Sequence, residues 1–304
     1  MEHAIRPYLP DDAQAIVALQ RRYAAAYLGA PVLSAELYAS HPAYAGGRNV
    51  LCALAGGEMV GYAALFVQPD ASANPKHTLD LTLRVDPAYT DAATLRADLL
   101  RRMLALAHAA LAELPPGQAA CRADPASSET ETISLLEEHG FRRHAIMYHY
   151  TRALDEPLPE IEPPAGITIR RCRLESDAEQ MQYMNAQNRS FGVQVRTLED
   201  LRYMLTTPEW RLGALFCAFA GESVVGGLYA YWDPAQPPPP RVGHTEAIFV
   251  EAEWRRRGIA GALVAAGLRY LREHGLAAAE LTVTDYNADA MRLYQRLGYR
   301  EQWH

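Results

Sequence analysis

Phe249-Val250-Glu251-Ala252-Glu253-Trp254-Arg255-Arg256-Arg257-Gly258-Ile259-Ala260-Gly261 joins a β-prone run, Ala247 to Val250, to a helix that should open at Ile259 and run to about His274. The turn between them carries Arg255-x-x-Gly258-x-Ala260, with small residues where bulk would block close approach. A strand-turn-helix whose first helical turn is bare presents several free backbone N–H groups towards one point. Such a mouth suits a diphosphate, held by amide donors and the helix dipole rather than by charged side chains alone.

About thirty residues on, a strand-like run, Glu280 to Thr284, leads into Asn287-x-x-Ala290-x-x-x-Tyr294-x-x-x-Gly298-Tyr299. Asn287 stands where a helix N-cap is expected, with Asp289 in the first turn. Ala290 and Tyr294 are four apart and share one helical face. The small residue leaves room for a ligand chain, and the phenol stands one turn further along. Gly298 ends the helix.

The two segments, in this order and spacing, resemble the GNAT superfamily of N-acetyltransferases. Arg255, Gly258 and Ala260 match its Q/R-x-x-G-x-G/A pyrophosphate loop. Asn287, Ala290, Tyr294, Gly298 and Tyr299 match its N-x-x-A-x-x-x-Y-x-x-x-G-F/Y helix. Arg256 departs from the family, many members of which carry Gly there; it leaves the amides in place and adds a cation beside the phosphates. The resemblance implies acetyl-CoA as donor and the amine of a small molecule as acceptor. It also implies a pantetheine arm paired like a strand with the backbone of Ile248, Phe249 and Val250, and a pyrophosphate on the amides of Arg257, Gly258, Ile259, Ala260 and Gly261.

Composition sets outer limits. A chain of 304 residues suits two domains better than one, and 49% apolar residues can fill real cores. Met1-Glu-His-Ala-Ile-Arg-Pro lacks the order of a signal peptide, and no apolar stretch reaches membrane-spanning length. Cys52, Cys121, Cys172 and Cys217 have no paired spacing, so free thiols in a reduced cytoplasm are expected, with no metal site. A net charge of −7 argues against nucleic acid as a partner.

The segments before the motif repeat in order. Gly57-Glu-Met-Val-Gly61 is answered by Gly221-Glu-Ser-Val-Val-Gly226, Val85 by Val250, and Gly140-Phe141 by Gly298-Tyr299. The expected fold class is therefore α+β, a mixed and mostly antiparallel sheet flanked by helices, built twice as tandem GNAT domains. The expected bounds are 1–155 and 167–304, with residues 156–166 (Pro-rich and acidic) as a linker. Phe141 to Arg152 reads as the strand closing the first domain. The copies differ at the cradle. Thr90, Ala93 and Leu95 stand where the second copy has Arg255, Gly258 and Ala260, and Leu136 stands for Tyr294. The first copy should bind acetyl-CoA poorly or not at all, and the two copies can pack as a pseudo-dimer within a monomer. The tandem arrangement, with a degenerate first half, resembles that of mycothiol-synthase-like proteins.

For amine acetylation, Tyr294 is the candidate general acid towards the leaving thiolate. Glu246 is the first choice of general base and His244 the second; period-two alternation places both on one strand face with Ile248 and Val250. Helices near 176–191 and 197–205 should line the acceptor pocket, with Tyr183, Asn188, Arg189 and Tyr203 as contacts. The alternatives from other classes are a non-catalytic acyl-CoA-binding sensor and a structural protein with a degenerate site.

Overall fold

A computed structural model describes residues 3–27, 30–70, 73–192, 196–234 and 241–303. The chain forms two compact units, Met1–Arg143 and His144–His304.

The first unit is built on β1 (Ala4–Pro7), α1 (Ala13–Ala26), α2 (Leu37–Ser40), β2 (Val50–Ala55), β3 (Glu58–Gln68), β4 (Lys76–Val85), α3 (Ala92–Ala112), β5 (Gln118–Ala123) and α4 (Thr130–Glu138). Its sheet runs β1-β2-β3-β4-β5. Neighbours are antiparallel until α3 crosses over and β5 returns parallel to β4. β4 alternates cleanly between buried and half-buried positions. Leu79, Leu81, Leu83 and Val85 of β4 pack with Leu95, Leu99, Leu100 and Met103 of α3. Ile16 and Leu19 of α1 pack with Val50, Cys52 and Tyr62 in a separate cluster.

The second unit comprises β6 (Met147–Ala153), β7 (Ile167–Cys172), α5 (Asp177–Phe191), α6 (Leu198–Thr206), α7 (Pro208–Leu212), β8 (Ala214–Ala220), β9 (Ser223–Tyr231), β10 (Val242–Val250), α8 (Ile259–Glu273), β11 (Ala278–Thr284), α9 (Ala288–Arg296) and β12 (Arg300–Trp303). Its sheet order is β12-β6-β11-β10-β9-β8-β7. Among the described strands, only β10 and β11 are parallel, again across a helix, α8. One core gathers α8 and α9 with Leu228, Leu281 and Val283. The other gathers α5 and α6 with Leu215, Cys217, Phe219, Tyr229 and Phe249.

The strand expected to close the first domain does not do so. β6 pairs along its whole length with β11, Ala153 facing Ala278 and Met147 facing Thr284, and on its other edge with β12. The break between units therefore falls at Arg143, before this strand, and not in the Pro-rich segment. Residues 155–166 carry no strand or helix. Leu158 and Ile161 within them pack on the α8 core, so the segment is pinned to the second unit rather than left as a spacer. A Pro-rich, acidic composition reports the missing secondary structure and is silent about two apolar anchors.

Candidate functional site

The site begins where two parallel strands part. β10 and β11 are in register only from Val242–His244 against Ala278–Glu280, although both run on for several residues. From Thr245 to Val250, the β11-facing edge of β10 has no ladder partner; apart from Val250 O, which accepts from Arg255 Nε, that edge is open to a strand-like ligand. Thr245, 1% exposed, closes the apex of the fork: its hydroxyl lies 2.8 Å from the hydroxyl of buried Tyr299.

At the end of β10, a single 3-10 turn (Ala252–Trp254) leads to Gly258, the N-cap of α8. Gly258 has φ +86°, and an added Cβ there would meet open space, so the backbone angle rather than crowding demands glycine. No amide from Arg256 to Gly261 donates to a described backbone carbonyl, whereas Ala262 N closes on Gly258 O at 3.1 Å. The three arginines turn their charges elsewhere. Arg255 donates to Val250 O (2.9 Å) and Ser190 O (2.6 Å), stapling strand end to α5. Arg256, held at φ +64°, pairs with Asp289 on α9 at 2.6 Å. Arg257 donates to Glu253 O (3.1 Å) and lies over the Trp254 ring. The mouth is made of amides, with Ile259, Ala260 and Gly261 supplying the first turn.

Across from it, Asn287 Oδ1 accepts from Ala290 N at 3.3 Å and caps α9. Tyr294 follows, 7% exposed, with its ring edge-on to Tyr299 at 6.0 Å. Burial pushes its phenol up to about 12. Gly298 ends the helix at φ +86°, and a Cβ there would run into the guanidinium of Arg152. That arginine, 5% exposed on β6, donates to Leu297 O at the helix end and to Pro157 O at 2.6 Å. A cation at a helix C-terminus is favourably placed against the dipole.

The alternation expected along β10 fails at Ala247. Glu246 is opposite Tyr229, but Phe249, three residues on, is opposite Gly227. One extra residue is accommodated by Ala247 at φ +51°, a bulge that inverts the facing of the residues after it. Glu246 therefore shares its face with Phe249, Tyr229 and Tyr231, not with Ile248 and Val250. The Tyr231 hydroxyl donates to Glu246 Oε1 at 2.8 Å. Tyr231 stacks on Tyr229 (centroids 4.7 Å, 13°) and lies 5.1 Å from the half-buried His244 ring. Burial, then the Glu246 charge, holds the Tyr231 phenol well above its usual range, so it stays a donor.

The four expected acceptor contacts take different places. Tyr183 is 1% exposed and packs edge-on to Phe249 at 5.6 Å. Asn188 Nδ2 donates to Arg196 O at 3.2 Å. Arg189 binds Glu251 Oε1 through two nitrogens at 2.6 and 2.8 Å, tying α5 to the end of β10. Tyr203 is half-buried on α6. Tyr229, Tyr231, Arg196 and Arg152 were not among the residues expected from sequence; the Tyr229-x-Tyr231 alternation was the available signal for the first two.

In the first unit, the positions that match the cradle carry different side chains in different settings. Leu95 is fully buried. Glu129, 2% exposed, accepts from the Tyr23 hydroxyl and from Ala126 N (2.9 Å) and faces Arg84 at 3.6 Å. Arg84 itself lies over the Tyr23 ring.

Residues 181–299 match the family model "Acetyltransferase (GNAT) family". Over 301 residues, the chain is 29% identical to a mycothiol acetyltransferase of Geodermatophilus obscurus, covering 95% of this chain and 91% of the relative. Among solved structures, a GCN5-related N-acetyltransferase from Sphaerobacter thermophilus superposes with a TM-score of 0.74 at 23% identity, over 99% of this chain and 93% of that one. A tandem GNAT protein from the clavulanic acid biosynthesis pathway gives a TM-score of 0.68 at 15% identity, over 99% and 97%. Motif, fork and fold agree with these likenesses: residues 181–299 carry the GNAT acetyltransferase pattern, and the fold of the whole chain is similar to that of a tandem GNAT protein.

Proposed function

We propose that the second unit transfers an acetyl group from acetyl-CoA to a primary amine of a small molecule, in one direct step. The observation that carries this reading is the run of undonated amides from Arg256 to Gly261, at the mouth of α8 beside the open β10–β11 fork. A diphosphate fits those donors, and an extended pantetheine arm fits the unpaired edge at Ile248 to Val250. The coenzyme supplies an activated acyl group as a thioester. The chain's own residues hold it, polarise its carbonyl through a β10 N–H, and move two protons.

Glu246 takes the proton of the attacking amine, directly or through water, and Tyr231 fixes the carboxylate's orientation. His244 is the second candidate for that role. Tyr294 gives its proton to the departing sulfur, so that amide and free CoA thiol leave. At about 12, its phenol lies above a thiol near 8.5, a gap worth roughly 5 kcal/mol. Tyr294 therefore acts first as a hydrogen-bond donor to the developing thiolate, and transfer completes as the amine proton leaves. Asn287 and Ala290 shape the wall along which the arm passes. The first unit, with Leu95 in the first turn of α3 and the buried Glu129 at the start of α4, carries no coenzyme in this reading. The name of the Geodermatophilus relative supports a small-molecule acceptor.

The test is release of CoA thiol with a panel of amines by wild type, Tyr294→Phe and Glu246→Gln. Turnover that both substitutions depress supports the proposal. Tight acetyl-CoA binding with no turnover on any amine contradicts it.

A further inference from the structure

Four buried side-chain N or O atoms lack a hydrogen-bond partner among the described residues, and three of them belong to the α5–α6 side of the second unit. They are Gln187 Oε1, Arg196 Nε and the Tyr229 hydroxyl. Gln187 is 3% exposed and Tyr229 is 7% exposed. A buried polar atom left unpaired costs about 1–3 kcal/mol, so three on one side of one sheet call for an explanation.

The arginine is the most telling. Arg196 has no carboxylate partner among the described residues; its Nη1 is 3.2 Å from Met204 Sδ, a weak acceptor. Its position is nonetheless fixed. Asn188 holds its carbonyl at 3.2 Å, and the next residue, Thr197, caps α6 in a reciprocal pair with Asp200. These contacts fix the backbone of Arg196; its half-buried guanidinium, touching Met204 Sδ and carrying a buried Nε without a partner, keeps donors to offer an anion.

This site adjoins the proposed base. Tyr229 is the cross-strand neighbour of Glu246 and stacks on Tyr231, which holds the Glu246 carboxylate. Burial first, then Glu209, Glu246 and Tyr270, push the Tyr229 phenol up, and Arg196 opposes them; at Tyr183, Arg196 likewise opposes the rise that burial causes. Acids and one cation thus flank a single phenol. An amine would sit on the acidic side, and an oxyanion on the other.

We infer that Arg196, acting with the Tyr229 hydroxyl, receives an anionic oxyacid group of the acceptor, so that the acceptor is an amine bearing a carboxylate or phosphate rather than a simple amine. The inference rests on the transferase reading above for the position of the amine. A charge-assisted bond to the guanidinium supplies the discrimination, and a ligand without the anion leaves Arg196 and Tyr229 unpaired.

The experiment uses matched pairs with the full-length protein: α-amino acids against their carboxamides, and amino sugars with and without a phosphate. Equilibrium binding and CoA-thiol release are both read, for wild type, Arg196→Gln and Arg196→Lys, with thermal unfolding to confirm that each variant folds. Wild type should bind the anionic member of one pair about 10- to 100-fold more tightly than its neutral mate. Arg196→Gln should bring that ratio near one, and Arg196→Lys should retain part of it. The preferred pair tells carboxylate from phosphate. Equal binding of both members in every pair, or a ratio that survives Arg196→Gln, overturns the inference. A binding preference that depends on Arg196, without turnover of any amine, supports this site and contradicts the transferase reading instead.

Discussion

The Tyr231 hydroxyl donates to Glu246 Oε1 at 2.8 Å, from the strand next to the one that carries the carboxylate. Because Tyr231 stays protonated, this bond orients Glu246 without competing for its proton. Glu246→Gln should lower kcat/KM by about 100-fold or more, the usual share of a general base. Tyr231→Phe should cost less, about 10-fold, by loosening the carboxylate. Steady-state rates under saturating acetyl-CoA check both. Equal rates for Glu246→Gln and wild type would pass the role to His244.

Tyr294 yields a pH prediction with a definite sign. Its folded value of about 12 lies above the unfolded value near 10, so the native state binds the proton more tightly. The contribution to stability is complete below pH about 10 and is lost as pH rises towards 12, amounting to up to roughly 3 kcal/mol. Thermal unfolding of wild type should therefore fall faster than that of Tyr294→Phe across this window. In the assay, Tyr294→Phe should reduce kcat by about 100-fold, and no loss of wild-type kcat from Tyr294 ionisation should occur up to pH about 10.

Gly298 and Arg152 occupy one space. Gly298→Ala should destabilise by about 2 kcal/mol or more, through both its positive φ and the collision with the guanidinium. Arg152→Met should cost about 2–3 kcal/mol by leaving the Leu297 and Pro157 carbonyls without their donor. Since Arg152→Met removes the guanidinium with which the added methyl of Gly298→Ala collides, the double variant should lose less than the sum of the two. Denaturant unfolding of the four proteins measures that coupling.

The parts that spacing could reveal were those governed by backbone rules. Gly258 at positive φ, Asn287 as a cap and Gly298 as a helix stop are each demanded by local geometry, so residue identity alone exposes them. Tyr148 and Tyr150 of β6 alternate in the same way whichever sheet receives the strand, and pairing is a long-range choice that no local pattern records. The bulge at Ala247 was hidden for a different reason. Glycine would have announced a left-handed residue, and alanine does not. Arg196 escaped notice because an arginine ahead of a helix is ordinary until its missing counter-charge is seen in three dimensions.

Every role assigned to the second unit depends on its helix mouth, and calorimetric titration of acetyl-CoA into wild type and Gly258→Val tests that mouth most directly. Wild type should bind one equivalent per chain, and Gly258→Val should weaken binding at least about 10-fold, since a β-branched side chain resists the left-handed angle that aims the amides. Two equivalents per chain, or undiminished affinity in the variant, would contradict it.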